Sequence, residues 1–170
     1  RSYNPKYILY MKDHGGNEND HVFSLNIETQ KVVDLTSFDG CKAMVLQTSD
    51  KHPNHILVAT NNRNKAYFDV YKVDITTGEN QLVEKNDEFK SFVADSDFNL
   101  RFAVKEDENG NDQIFKKSKD GKWELYDTVP FEDIETTTLI GITKDGTKAY
   151  MKDSRGQNTA SLVEIDLERG

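Results

Sequence analysis

Four histidines are the side chains best suited to metal or acid–base chemistry in this sequence, and they fall in two groups, His14 with His21 and His52 with His55. His14 and His21 flank Glu18 and Asp20, a mixture of imidazole and carboxylate that zinc accepts. The spacing matches no zinc cage, and a Gly-rich loop fixes no ligand geometry, so no metal site is expected. His52 and His55 bracket Pro53 and Asn54, a pattern that a tight turn explains, with Pro presetting φ and Asn tolerating the left-handed region. The acidic run Asp107-Glu108-Asn109-Gly110-Asn111-Asp112 has the composition of a calcium loop. Counted from Asp107, however, the places where an EF-hand needs Gly and a bidentate Glu hold Asp112 and Ser118. A solvated hairpin loop is the expectation.

Among nucleophiles, Ser154 in Asp153-Ser154-Arg155-Gly156 is the most tempting, but no base accompanies it and no strained strand-to-helix turn holds it. No catalytic residue and no cofactor are expected in this chain. Cys41 is the single cysteine, which rules out an internal disulfide and a cysteine-based zinc cage. Arg63 and Arg155 are more informative, because both fall in the same loop of a repeated unit. Internal salt bridges to neighbouring Asp are the favoured reading of their guanidinium groups, with contact to a peptide carboxylate or the surface of a partner domain as the functional candidate.

The elements that carry these residues read as strands. Short apolar or alternating runs end in clusters of Asp, Asn, Gly, Thr and Lys, and no convincing amphipathic helix occurs. The best helical candidate, residues 130–136, is short and acidic, and is expected to be a loop or a single turn. One order of elements recurs: strand, polar loop, strand, tight turn, strand. It runs first through Tyr7-Ile8-Leu9-Tyr10-Met11, Val22-Phe23-Ser24-Leu25-Asn26-Ile27 and Val32-Val33-Asp34-Leu35-Thr36. The second copy uses His55-Ile56-Leu57-Val58-Ala59, a loop over residues 60–67, Phe68-Asp69-Val70-Tyr71-Lys72-Val73-Asp74-Ile75 and Gln81-Leu82-Val83. The third uses Leu100-Arg101-Phe102-Ala103-Val104, Gln113-Ile114-Phe115-Lys116-Lys117, an Asp120-Gly121 turn and Trp123-Glu124-Leu125-Tyr126. The fourth uses Lys148-Ala149-Tyr150-Met151 and residues 160–167.

Further apolar runs at residues 41–47, 91–94 and 138–143 precede copies two, three and four, so a full unit has four strands at a period of roughly 45 to 48 residues. That is the grammar of a propeller blade. The fold class expected is all-β, a partial β-propeller of about three and a half four-stranded antiparallel blades, bounded near residues 1–40, 41–86, 87–129 and 130–170. Trp123 and the other aromatics are expected to pack between blades. The first copy lacks an opening strand and the last a closing one, which predicts an open arc of a larger ring, able to self-associate through its open blade edges.

Composition excludes several partners. The 170 residues carry 22 Lys plus Arg against 30 Asp plus Glu, a net charge of −8. No cluster of basic residues stands out to neutralise phosphates, so neither nucleic acid nor an anionic membrane is an expected partner. No run approaches the roughly 18 apolar residues of a membrane span. Residues 1–10 hold no signal-peptide pattern, which leaves the compartment open. Beginning on Arg rather than Met, the sequence is expected to be a segment of a longer protein.

The loop Asp13-His14-Gly15-Gly16-Asn17-Glu18-Asn19, the strand end Asp34-Leu35-Thr36, the segment Asn61-Asn62-Arg63, the run Phe68-Asp69-Val70-Tyr71-Lys72-Val73-Asp74 with Thr77-Gly78, and Asp153-Ser154-Arg155-Gly156 resemble blades of one family. It is the prolyl oligopeptidase family of serine peptidases, in its dipeptidyl-peptidase and acylaminoacyl-peptidase branch. The first copy departs from the pattern by carrying Gln30 where the repeats favour Gly. The resemblance implies a parent with an N-terminal propeller and an α/β-hydrolase domain, the propeller restricting which peptides reach the active site. No Gly-x-Ser-x-Gly nucleophile elbow occurs here, so the family triad maps onto nothing, and the hydrolase domain is expected to lie outside this chain. The expected function is therefore a catalytically silent segment that gates or selects peptides for that hydrolase. The alternative is a stand-alone TolB-like, protein-binding propeller scaffold.

Overall fold

The computed structural model describes residues 2–13, 15–16 and 18–168. Its regular elements are strands apart from one 3₁₀ turn, Phe131–Asp133, in the segment expected to be a loop or single turn. The strands form four antiparallel sheets, each a meander in chain order. The first holds β1 (Tyr7–Lys12), β2 (His21–Asn26) and β3 (Val32–Asp34). The second holds β4 (Ala43–Thr48), β5 (His55–Asn64), β6 (Tyr67–Asp74) and β7 (Asn80–Glu84). The third holds β8 (Ser91–Ala94), β9 (Leu100–Glu106), β10 (Asp112–Lys117) and β11 (Trp123–Val129), and the fourth β12 (Thr138–Ile142), β13 (Lys148–Asp153) and β14 (Ser161–Asp166). These are propeller blades. The chain divides into two compact units of two sheets each, one ending at Glu88 and the other beginning at Phe89.

Period-two patterning decides which face of each sheet is buried. In the first unit Val22 and Leu35 meet Ala43, Ile56, Val58, Val73 and Ile75 in one cluster, joined by the half-buried Tyr7, Leu9 and Val33. In the second unit Phe102, Ile114 and Val129 meet Ala149, Met151, Ile165 and Leu167. Each fully buried aliphatic or aromatic side chain contributes roughly 1.5–3 kcal/mol relative to exposure. The two clusters are what hold paired sheets face to face.

One local expectation is corrected. Residues 60–67 are not a loop: β5 continues to Asn64 and β6 begins at Tyr67, with the register shifting between Thr60 and Asn64. The extension survives without an apolar pattern because Arg63 is fastened to Asp69 across the hairpin. Trp123 packs against rings near its own sheet, its centroid 5.4 Å from that of Phe89 and 5.9 Å from that of Phe92. Phe115 completes the group against Phe89 at 5.4 Å.

Candidate functional site

Arg63 lies near the end of β5 and Asp69 on β6, facing it across the hairpin. The guanidinium donates from Nε to Asp69 Oδ2 and from Nη2 to Asp69 Oδ1, both at 2.9 Å, a two-pronged fit that fixes its plane. Nη1 donates to Asp87 Oδ1 at 2.7 Å and Nη2 to the Asn86 carbonyl at 2.5 Å. Asp69 also accepts the Asn86 N–H at 2.8 Å, and the Asn86 side-chain amide donates to the Phe68 carbonyl at 3.1 Å. The hairpin and the connection after β7 are thus one network. Asp69 is 2 % exposed. Burial opposes its ionisation, but the hydrogen bonds from Arg63 and Asn86 and the nearby positive charge outweigh it and hold the carboxyl below its ordinary value. Arg63, hydrogen-bonded to Asp69 and Asp87, is held still more firmly in its charged form.

Arg155 follows β13 and repeats the device in the second unit. Nε and Nη2 donate to Asp153 Oδ1 and Oδ2 at 3.0 and 2.7 Å. Nη1 and Nη2 donate to Asp127 Oδ1 and Oδ2 at 3.0 and 2.8 Å, and Nη1 also reaches the Thr128 carbonyl at 3.2 Å. Every guanidinium N–H of Arg155 is therefore engaged, whereas Arg63 keeps one Nη1 hydrogen free of the contacts above. The Arg155 side chain and its backbone N–H lower the Asp153 pKa to about 2 against the cost of burial. Each arginine is matched by two carboxylates, and each ties a hairpin to the chain around the last strand of a sheet. The structure places both predicted residues in matching hairpins. It forms the internal salt bridges to Asp that the sequence led one to expect, with Asp69 and Asp87 for Arg63 and with Asp127 and Asp153 for Arg155. Asp69, on the facing strand, and Asp153, two residues before the Arg, were legible locally, whereas Asp87 and Asp127 were not.

The remaining candidates are placed as follows. His14, like Asn17, lies outside the described residues. His21 is not in a loop but is the first residue of β2 and is buried, with Nδ1 2.8 Å from Asp34 Oδ2 and Nε2 3.8 Å from Cys41 Sγ. A Cys, His and Asp in that order can activate a thiol. Cys41 is fully buried, however, and its thiol donates to the Thr36 carbonyl at 3.6 Å, so this cluster is closed to substrate. His52 donates its N–H to the Ser49 carbonyl in the turn, and His55 opens β5, 3.7 Å from Asp74. Asp107 accepts the N–H groups of Asn109 and Asn111 at 2.8 and 2.9 Å, which is turn chemistry. Ser154 Oγ sits 2.6 Å from Thr136 Oγ1 and 3.1 Å from Thr137 Oγ1, a hydroxyl cluster that closes the turn after β13.

With this geometry in place, comparison with known proteins is specific. No family model matches the chain. It is 41% identical over 170 residues, 99% of its length, to "Dipeptidyl aminopeptidase BIII" of Pseudoxanthomonas mexicana, of which it covers 25%. It is 27% identical over 96% of its length to "Dipeptidyl peptidase family member 6" of Caenorhabditis elegans, of which it covers 24%. The chain thus spans about a quarter of the length of the curated relatives it matches. Among solved structures, TolB from Acinetobacter baumannii aligns over 97% of this chain and 39% of its own with a TM-score of 0.56 at 14% identity. An oligogalacturonate lyase in complex with manganese aligns over 98% of this chain and 47% of its own with a TM-score of 0.66 at 11% identity. At such identities these structures establish the propeller fold alone. At 41% identity over 99% of its length, the chain corresponds to a propeller segment, about a quarter of the length, of a dipeptidyl aminopeptidase.

Proposed function

We propose that this segment gates or selects peptide substrates for a serine peptidase whose α/β-hydrolase domain belongs to the same longer protein. The observation that carries this reading is the 41% identity across 99% of the chain to a dipeptidyl aminopeptidase of about four times its length. The physical support is the fastening of its hairpins. A surface that discriminates between peptides must hold its shape within a fraction of an ångström, and the carboxylate-locked Arg63 and Arg155 hold two hairpins in that way. In this reading Arg63 meets a peptide carboxylate or the hydrolase surface through its remaining Nη1 hydrogen, its side chain being 34% exposed. Arg155, with no N–H to spare, contributes the exposed 27% of its side chain and the shape of the hairpin it pins.

The test is made in the longer peptidase that carries this segment. Arg63→Ala and Arg155→Ala are compared with the parent by kcat/KM over peptides of graded length and by the rate at which a fluorophosphonate labels the serine nucleophile. The expected result is a changed ranking of peptides with the labelling rate preserved. An unchanged ranking in both variants would overturn the proposal. A parent that takes no label would favour the scaffold reading.

A further inference from the structure

A cavity of about 750 Å³ opens between two turns at one end of the third sheet, the β8–β9 turn and the β10–β11 turn, opposite the β9–β10 hairpin. That volume is within the range of roughly 300–1,000 Å³ that takes a drug-sized molecule or a short peptide. Its apolar lining comes from Leu100 and Leu167, 4% and 8% exposed. Its charged lining is largely basic, although the chain as a whole carries −8.

The cations there are not equivalent. Arg101 is bound to Asp95 at 3.1 Å, and Lys117 lies over the Trp123 ring at 4.7 Å. Lys116 and Lys119 line the same cavity, and among the described residues neither has an ion-pair or hydrogen-bonding partner for its ammonium group. Two uncommitted ammonium groups beside an apolar patch call for a ligand with separated negative charges and an apolar part. Glu124 and Asp120 also line the cavity, and Asp120 is held by Ser118 at 2.5 Å and by Lys122 at 3.5 Å. A compact polyanion would bring its whole charge close to those carboxylates, whereas single carboxylates spaced along a peptide avoid them.

We propose that this cavity binds an acidic peptide segment of another protein, with carboxylates on Lys116 and Lys119 and an apolar side chain against Leu100 and Leu167. With a net charge of −8 the chain as a whole does not attract such a peptide, so binding depends on the local charge of this cavity.

The test uses the full chain and a fluorescent hexapeptide alternating Glu and Leu, followed by anisotropy at low salt. The comparisons are a Gln-and-Leu peptide, Lys116→Gln with Lys119→Gln, and Lys31→Gln as a control elsewhere on the surface. The expected result is saturable binding that weakens with salt and falls at least about tenfold in the double variant and with the neutral peptide, while Lys31→Gln leaves it unchanged. Amide shifts on binding are expected at Leu100, Gly121 and Leu167. If the double variant alters the far-UV spectrum, Lys119→Gln alone, on the exposed turn, is read instead. Absent saturation, equal affinity for the neutral peptide, or an equal loss in Lys31→Gln would overturn the proposal. Displacement by equimolar pyrophosphate would reassign the site to a small anion. Self-association removed by the lysine changes would reassign it to a second copy of the chain, and either outcome would overturn the peptide assignment.

Discussion

Gln30 and Gly78 occupy the same position in successive sheets. Each donates its N–H at 2.8 Å to the carbonyl of the residue four before it, Asn26 or Asp74, and each has a left-handed backbone, φ 59° and 82°. The side chains of Asn26 and Asp74 accept the following N–H groups in the same way, from Glu28 and Thr29 in one case and Thr76 and Thr77 in the other. The two turns are one structure built on different residues, so the Gly that the first copy lacks is a real local cost.

Gln30→Gly is therefore expected to stabilise the first unit by about 0.5–1 kcal/mol, the left-handed strain relieved less the chain entropy added. Gly78→Ala should cost more than about 1 kcal/mol, because its Cβ would lie 3.0 Å from Val33 Cγ1 in addition to the strain. Urea denaturation of both variants reads the two signs. Equal effects would mean that turn geometry does not limit either sheet.

Asp69 accepts from Arg63 through both oxygens and from the Asn86 N–H, and is 2% exposed. Asp69→Ala is expected to cost about 2–4 kcal/mol, since it strands a buried amide donor and half of the Arg63 fork. Faster amide exchange at Asn86 than at Val58 would localise the loss to the fastened connection. A change below about 0.5 kcal/mol would show that Asp87 alone suffices.

Acid should loosen the Arg155 hairpin over a defined window. The folded pKa of Asp153 is about 2 against an ordinary 3.8, so its contribution is fully present above pH 3.8 and is lost as pH falls towards 2. Asp69 is shifted in the same direction. Stability measured from pH 5 down to about 2 should fall less steeply in Asp153→Asn than in the parent. Parallel slopes would assign acid sensitivity to other carboxylates.

Ile140 and Leu162, 61% and 67% exposed, lie on the first and last strands of the fourth sheet. Apolar side chains so open on a sheet, with unpaired strand edges beside them, favour association. The chain is expected to form dimers or larger species as concentration rises, and Leu162→Lys should shift them towards monomer. Sedimentation velocity over a hundredfold concentration range checks this. A single monomeric species throughout would remove self-association from the properties of this segment.

The sequence by itself determined the all-β class and the repeat of strand, loop, strand, turn and strand, because a period of two and turn residues such as Gly78 and Asp120-Gly121 are local properties of the chain. The family resemblance was legible in the runs around Arg63, Asp69 and Arg155. Only the tertiary structure decided what those residues touch. Asp69 is six positions from Arg63, but Asp87 and Asp127 reach their arginines from 24 and 28 positions away, across sheet edges whose register no local pattern encodes. The same holds for His21, whose place beside Asp34 and Cys41 depends on how β2 pairs with β3 and on where the chain turns before β4. Local propensity writes the strands, while the pairing of distant segments under burial decides which charges become neighbours.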